Sequence, residues 1–189
     1  LLTDCGSEVA EQSLRDIGSM HYWPVETVLA PLHSSCRQGD SPMTVKTVVE
    51  LDLVGYSDIS RNLEENLGAK VVADFNKHIQ GFVDAGLKAI MARRKDVVKA
   101  TTGDGAILAF ADPANAHVFG VAVHKAAQTH NGTVSSAAAR RLFRIGIATG
   151  DFHEDRGSVA GTVISRAVRM EAASEPGQML IDISTFDGL

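Results

Sequence analysis

The sequence predicts an α+β fold of ferredoxin-like order, a βαββαβ core extended by a further αβ unit, with an antiparallel-containing sheet and helices packed on one face of it. Three observations carry this. Residues 45–54 alternate with period two and are dense in β-branched side chains, Gly103-Asp104-Gly105 sits between two β-rich runs, and two long stretches between strands repeat their apolar residues every three or four positions.

In the first strand Val45, Thr47, Val49, Leu51 and Leu53 alternate with Lys46, Val48, Glu50, Asp52 and Val54, the pattern of a buried strand. Ser57 or Ser60 can cap the helix that follows, whose Leu63, Leu67, Val71, Val72, Phe75, Ile79 and Phe82 line one side. Gly86 is expected to weaken or bend it before Ala89 to Met91. Asp96 to Thr102 then reads as a second strand, Gly103-Asp104-Gly105 as a hairpin turn, and Ala106 to Ala111 as the returning strand. Asp112-Pro113 opens a second helix with Pro in its first turn, and Ala116, Phe119, Gly120, Val123, Ala126 and Ala127 give it a small-residue packing face that ends at Asn131-Gly132. Thr133 to Ala139 reads as a mobile loop, Leu142 to Thr149 as a strand, Gly161 to Ala173 as a helix stopped by Glu175-Pro176-Gly177, and Gln178 to Ile183 as a last strand.

Composition narrows the function. The 189 residues are 44% hydrophobic and 22% charged, enough aliphatic side chain to bury a core and too much for a disordered chain. Eighteen Lys and Arg against 23 Asp and Glu leave a formal charge of −5, so no broad basic field exists to hold nucleic acid. No stretch approaches the roughly 18 apolar residues that span a bilayer, so no membrane segment is expected. Cys5 and Cys36 have no CxxC spacing, which fits a reducing, cytoplasmic compartment. Residues 1–43, with three prolines and weak helical periodicity, read as a linker or the end of an upstream domain, and residues 44–189 as the patterned domain. The chain opens at Leu1 with no secretory pattern and is expected to be a piece of something longer. Nucleophile-elbow, Walker A and dinucleotide-fold glycine patterns are absent.

Asp52 and Asp104 are the residues best placed for chemistry. In a βαββ sheet the first strand and the hairpin are neighbours, so the two carboxylates can meet, and hard divalent cations prefer carboxylate oxygens plus substrate phosphates. On spacing alone, an Asp beside a glycine is more often a turn former than a metal ligand.

Four runs appear in one order: Glu50-Leu-Asp-Leu-Val-Gly-Tyr-Ser-Asp58, Lys99-Ala-Thr-Thr-Gly-Asp-Gly-Ala-Ile-Leu108, Arg144-Ile-Gly-Ile-Ala-Thr-Gly150, and Gly161-Thr-Val-Ile-Ser-Arg-Ala-Val-Arg-Met-Glu171 with Glu175-Pro176-Gly177. Together they resemble the motifs of class III adenylate and guanylate cyclase catalytic domains over about residues 44–189. The resemblance implies that Asp52 and Asp104 hold two Mg²⁺ or Mn²⁺ ions, with the backbone carbonyl of Leu53 as a further ligand. It also implies that the N–H groups of Val54, Gly55, Tyr56 and Ser57 cradle a triphosphate at a helix N-terminus, where the dipole favours anions. In that family the active site forms between two catalytic domains, so a homodimer with composite sites is expected, and ATP as the substrate. Arg169 matches the arginine that stabilises charge on the reacting phosphate. Four residues before it, where the family usually has asparagine, stands Ser165, on the same helix face; its shorter hydroxyl leaves activity reduced or a water in its place.

Two positions set base choice in the family. Ser158 matches one, and a Ser or Thr there is similar to the adenylate-forming branch often linked to bicarbonate activation. The adenine-reading lysine normally stands where Ala100 does; Lys99 is one residue early and can serve only if a bulge turns it to the same face. The family pattern continues beyond a position like Leu189, so its C-terminal strands are not in this sequence.

The resulting expectation is an adenylate cyclase converting ATP to cyclic AMP and pyrophosphate. The alternatives are a catalytically silent cyclase-like regulatory or dimerisation module, motivated by Ser165 and the displaced Lys99, or a guanylate cyclase. A diguanylate cyclase would need a Gly-Gly-Asp/Glu-Glu-Phe turn that Gly103-Asp104-Gly105-Ala106 does not supply. His78, Arg166 and the His153-Glu154-Asp155 cluster read as solvated surface, His117 and His124 lack complete ligand spacing, and Asn131-Gly132-Thr133 reads as a turn.

Overall fold

The computed structural model describes residues 43–189, so the linker expected over residues 1–43 lies, but for its last residue, outside the described residues. Strand β1 (Thr44–Leu53) is followed by helices α1 (Tyr56–Leu67) and α2 (Ala69–Ala89), one helical turn α3 (Arg94–Val97), and the hairpin β2 (Val98–Thr101) and β3 (Ala106–Phe110). Helix α4 (Pro113–Thr133), the long strand β4 (Phe143–Asp155), strand β5 (Ser158–Ala160), helix α5 (Thr162–Ala173), strand β6 (Met179–Ile181) and the short α6 (Ile183–Phe186) complete it. The sheet order is β2-β3-β1-β4-β5, antiparallel throughout this path, and β6 adds to β4 in parallel. Strand β1 is therefore central, and the first four strands have the ferredoxin-like order the sequence predicts.

Alternation in β1 sends its side chains to two different cores. Val49, Leu51 and Leu53 pack with Phe75, Ile79, Phe82 and Val83 of α2 and with Phe119 and Val123 of α4. Val48, on the opposite face, packs with Ala148 and Phe152 of β4 and with Val163 and Ala167 of α5. The helices thus occupy both faces, not one. The reason is visible in β4, where Phe143, Ile145 and Ile147 serve the first core while Ala148 and Phe152 serve the second, so a sheet apolar on both sides needs cover on both.

Several local expectations change. The single helix after β1 is two, because Gly68 takes φ 84° and ψ 164° and breaks the hydrogen-bond ladder there. Gly86 does not bend α2. It is a contact point, where a Cβ would lie 2.6 Å from the Phe119 ring, so its smallness lets α2 and α4 approach. Neither Ser57 nor Ser60 caps α1; its N-cap is Gly55 in the left-handed region, with no side-chain cap. The segment expected to be a mobile loop carries a 3₁₀ turn at Ala137–Ala139, and Asn131 clamps Arg141 by accepting from its N–H at 2.7 Å and donating to its carbonyl at 2.8 Å. Strand β5 and helix α6 were not legible, being three and four residues long. Among the described residues no helix is long and apolar enough to cross a membrane.

Helix α5 lies directly on the sheet because Gly146 has no side chain; a Cβ there would collide with the Ala167 carbonyl and the Glu171 N–H. Backbone cannot yield as a flexible side chain can. Gly146→Ala is expected to lower stability by about 1–3 kcal/mol, read as a shifted urea midpoint at unchanged m-value, by lifting α5 from β4.

Candidate active site

Strand β1 delivers Asp52 to the sheet end where the β2–β3 turn arrives, since Leu51 pairs with Ala106. The turn fits only because of its glycines. A Cβ on Gly105 would strike the Leu51 carbonyl, and Gly103, at φ 92°, faces the Tyr56 hydroxyl. Asp104, between them, is brought close enough to Asp52 for its charge to bear on that carboxyl.

Two more carboxylates lie near enough for their charges to act on this pair. Glu50 lies two residues earlier in β1 and therefore on the same face as Asp52, and Glu171 comes from α5, which covers that face. Arg144, the cross-strand partner of Asp52 in β4, supplies the positive charge. It donates from Nη2 to Asp52 Oδ2 at 2.7 Å, and its Nε lies 2.9 Å from Glu171 Oε1. Burial raises the Asp52 carboxyl, the Arg144 hydrogen bond pulls it back, and the like charge of Asp104 raises it again. Glu171 is raised chiefly by burial, with Arg144 opposing and the two aspartates adding. Glu50, half-buried with its Oε2 enclosed and unpartnered, is pushed up to about 8 by burial first and then by Glu171, Asp52 and Asp104. The site as a whole is short of positive charge.

That shortage is the test of whether a divalent cation fits here. Asp52 and Asp104 offer hard oxygen donors in mutual repulsion, which a small divalent ion would relieve. Among the described residues no group of three or more His, Cys, Asp or Glu forms a ready cage, so further ligands would come from backbone, water and phosphate, the set Mg²⁺ and Mn²⁺ accept.

Just beyond Asp52 the chain turns through Gly55 at φ 75° into α1. The first bond from this turn into the helix runs from Ile59 N–H to the Gly55 carbonyl, so the amides of Tyr56, Ser57 and Asp58 precede it and are open to an anion. Val54 is a correction to the expected cradle: its N–H donates to the Leu142 carbonyl at 2.9 Å and is already spent. The Tyr56 ring turns away to stack on Phe75, and its hydroxyl donates to Asn76 at 2.9 Å, so only its backbone faces the site.

The remaining candidates stand elsewhere. On α5, Val163, Ala167 and Glu171 repeat every four residues and face the sheet, which puts Ser165 and Arg169 on the outer side, both exposed. One chain therefore does not bring them together with Asp52 and Asp104. Arg166, expected in solvent, instead donates to the Thr149 carbonyl at 2.6 Å and pairs with Asp182 at 3.3 Å.

Lys99 is the extra residue of a bulge. Val98 pairs with Leu108 and Ala100 with Ile107, so two residues of β2 oppose one step of β3. Its ammonium is held by both oxygens of Glu154 at 2.7 and 2.8 Å, and its side chain is only 13% exposed. Glu154, expected in solvent, sits in the β4–β5 hairpin, whose Val159 packs on the second core. Ser158 pairs with Asp155 on the next rung, so it points to the other side of the hairpin and is exposed. The structure thus gives Lys99 a partner in Glu154 and does not bring Ser158 to it.

The chain has the fold of class III adenylate and guanylate cyclase catalytic domains. It superposes on an adenylate/guanylate cyclase/hydrolase from Silicibacter pomeroyi with a TM-score of 0.62 at 22% identity, covering 78% of this chain and 80% of that one. The dimeric guanylyl cyclase domain of the RhoGC fusion protein from Blastocladiella emersonii gives 0.62 at 20% identity, covering 78% and 85%. A bacterial light-regulated adenylyl cyclase gives 0.64 at 14% identity, covering 80% of this chain and 47% of that longer one. No protein-family profile matches the chain, and no curated protein matches it by sequence.

Glu50 yields a pH prediction. Its folded carboxyl binds a proton up to about pH 8, against an ordinary value of 4.5, so its contribution to stability is full below about 4.5 and declines as pH rises towards 8. Glu50→Gln removes that dependence. In metal-free buffer the urea midpoint of E50Q minus that of the wild type should grow steadily from pH 5 to pH 8; a constant difference would contradict the buried, protonated carboxyl.

Proposed function

We propose that the domain cyclises ATP to cyclic AMP with release of pyrophosphate, in composite sites completed by a second copy of the chain. The observation that carries this reading is the meeting of Asp52 and Asp104 beside the open amides of Tyr56 and Ser57, two carboxylates and an anion cradle within one sheet end. The 3′-oxygen of the ribose bonds to the α-phosphorus, the bond to the β-phosphate oxygen breaks, and the hydroxyl proton passes to solvent.

Asp52 and Asp104, with the Leu53 carbonyl, are the groups that would hold two Mg²⁺ or Mn²⁺ ions, which would acidify the 3′-hydroxyl and neutralise phosphate charge. The amides of Gly55, Tyr56 and Ser57 orient the triphosphate at the positive end of α1. Arg169 reaches the reacting phosphate from the partner chain, consistent with its exposure on the outer face of α5. Ser165, one turn before it, retains a hydroxyl that bonds the ribose directly or through water. Lys99, bulged and fixed by Glu154, is the base reader in this reading, which the register shift between Val98 and Ala100 supports.

The second reading is a silent module that keeps the fold. It draws on Ser165 in the asparagine position and on Arg144, which already neutralises Asp52. Purified full-length chain with Mn²⁺ and either ATP or GTP separates the readings: mass spectrometry should find cyclic AMP in excess over cyclic GMP, and Asp52→Asn or Asp104→Asn should lower formation by about 10²-fold or more. A dimeric preparation forming neither product favours the silent module.

Sharing of the site between chains has its own signature. Asp52→Ala and Arg169→Ala homodimers should each be inactive, because both of their sites lack a part. A randomly exchanged mixture should recover about a quarter of wild-type activity, since roughly half the dimers are mixed and each has one intact site. A mixture as inactive as its components, with chain exchange verified by size, would exclude the composite arrangement.

A further inference from the structure

Arg144 stands where a cation is wanted. Among the described residues it is the only cation paired to any of the four carboxylates Glu50, Asp52, Asp104 and Glu171, and it holds two of them, Asp52 and Glu171, unequally. Its bond to Asp52 is well formed at 2.7 Å. Its approach to Glu171 is nearly as short, 2.9 Å, but lacks the alignment of a hydrogen bond, so both Arg144 Nε and Glu171 Oε1 are buried without a hydrogen-bond partner. Burying such atoms unpaired is costly, and a guanidinium fork can serve two carboxylates or close bidentately on one. Glu171 is therefore a second seat, already within reach and not yet fully used.

We propose that Arg144 is a built-in competitor for the divalent cation at Asp52, and that Glu171 is a positioning residue that takes the guanidinium when the cation binds. The inference rests on the reading of Asp52 and Asp104 as metal ligands. In the resting site the guanidinium stabilises Asp52 against Asp104, which lets the two carboxylates be placed together in the fold at all. On cation binding that service becomes repulsive, since a guanidinium and a divalent ion would share one carboxylate. Rotation about the arginine stem carries the fork to Glu171, pairs both orphaned atoms and leaves the Asp52 oxygens free. Helix α5 carries Glu171 on its inner side and Arg169 on its outer side, so the seat is on the same rigid element as the group proposed for the neighbouring site.

Mn²⁺ titration of the nucleotide-free, full-length chain by calorimetry, with variants Arg144→Met, Glu171→Gln and the double variant, tests this. Removing the competitor in R144M should tighten Mn²⁺ binding about tenfold, and removing the seat in E171Q should weaken it about tenfold. In the R144M background E171Q should change little, because without the guanidinium there is nothing to seat. An equal loss from E171Q in both backgrounds would mean Glu171 acts only as a remote negative charge and overturns the proposal, as would R144M that binds no tighter than wild type. If R144M does not fold, a crystal structure of the wild type with Mn²⁺ decides: the guanidinium bonded bidentately to Glu171 supports the proposal, and one still bonded to Asp52 overturns it. Absence of Mn²⁺ binding in the wild type and in a folded R144M is a different failure, that of the metal reading itself.

Discussion

Four carboxylates and one guanidinium share the half-buried end of a sheet, and most of the molecule is arranged so that they can. Asp52 and Glu50 come from the central strand, Arg144 from its antiparallel neighbour, Asp104 from the hairpin turn and Glu171 from the helix on the opposite face to the large core. Like charges at this spacing in a half-buried site repel, so the arrangement persists only because packing elsewhere holds the backbone in place. The carboxyls of Glu50, Asp52 and Glu171 are raised first by burial and further by the like charges around them.

What offsets the cost is division of the sheet into two cores. The larger one, between the sheet and helices α2 and α4, contains nearly all the big buried side chains and fixes the register of β1 against β3 and β4. The smaller one, under α5 and the β4–β5 hairpin, is built from alanine, valine and a single phenylalanine, with glycine at Gly146 where the helix comes closest. A stable face supplies the binding energy, and a thin face leaves room for charged groups between helix and sheet. Lys99 and Glu154 tie the far end of that thin face, joining an edge strand to a hairpin 55 residues away in sequence.

The exposed side of α5 gains meaning from the same geometry. Its inner residues repeat every fourth position and bind it to the sheet, which forces Ser165 and Arg169 outward. A group held rigidly on an outward face cannot serve its own chain's Asp52, a placement that supports the proposed completion of the site by a second chain.

Much of this was legible in the sequence. The alternation of residues 45–54, the glycine-flanked turn and the periodic runs determined the strand order and put Asp52 and Asp104 on neighbouring strands, because local pattern and short connections leave few topologies. Proline at the start of α4 and glycine around Asp104 marked boundaries through backbone chemistry alone. What only the tertiary structure decided depends on contacts between distant residues. Gly86 looked like a weak point and is a helix contact; Gly68 broke a helix whose apolar repeat ran through it; Val54 lost its N–H to Leu142; Arg166 and Glu154 looked solvated and found Asp182 and Lys99. Arg144 and Glu171 were in plain view within the motifs, yet their meeting with Asp52 is set by cross-strand register and by a helix resting on a glycine. Sequence pattern reports which face a side chain takes, whereas the partner it meets there is chosen by packing across the whole chain.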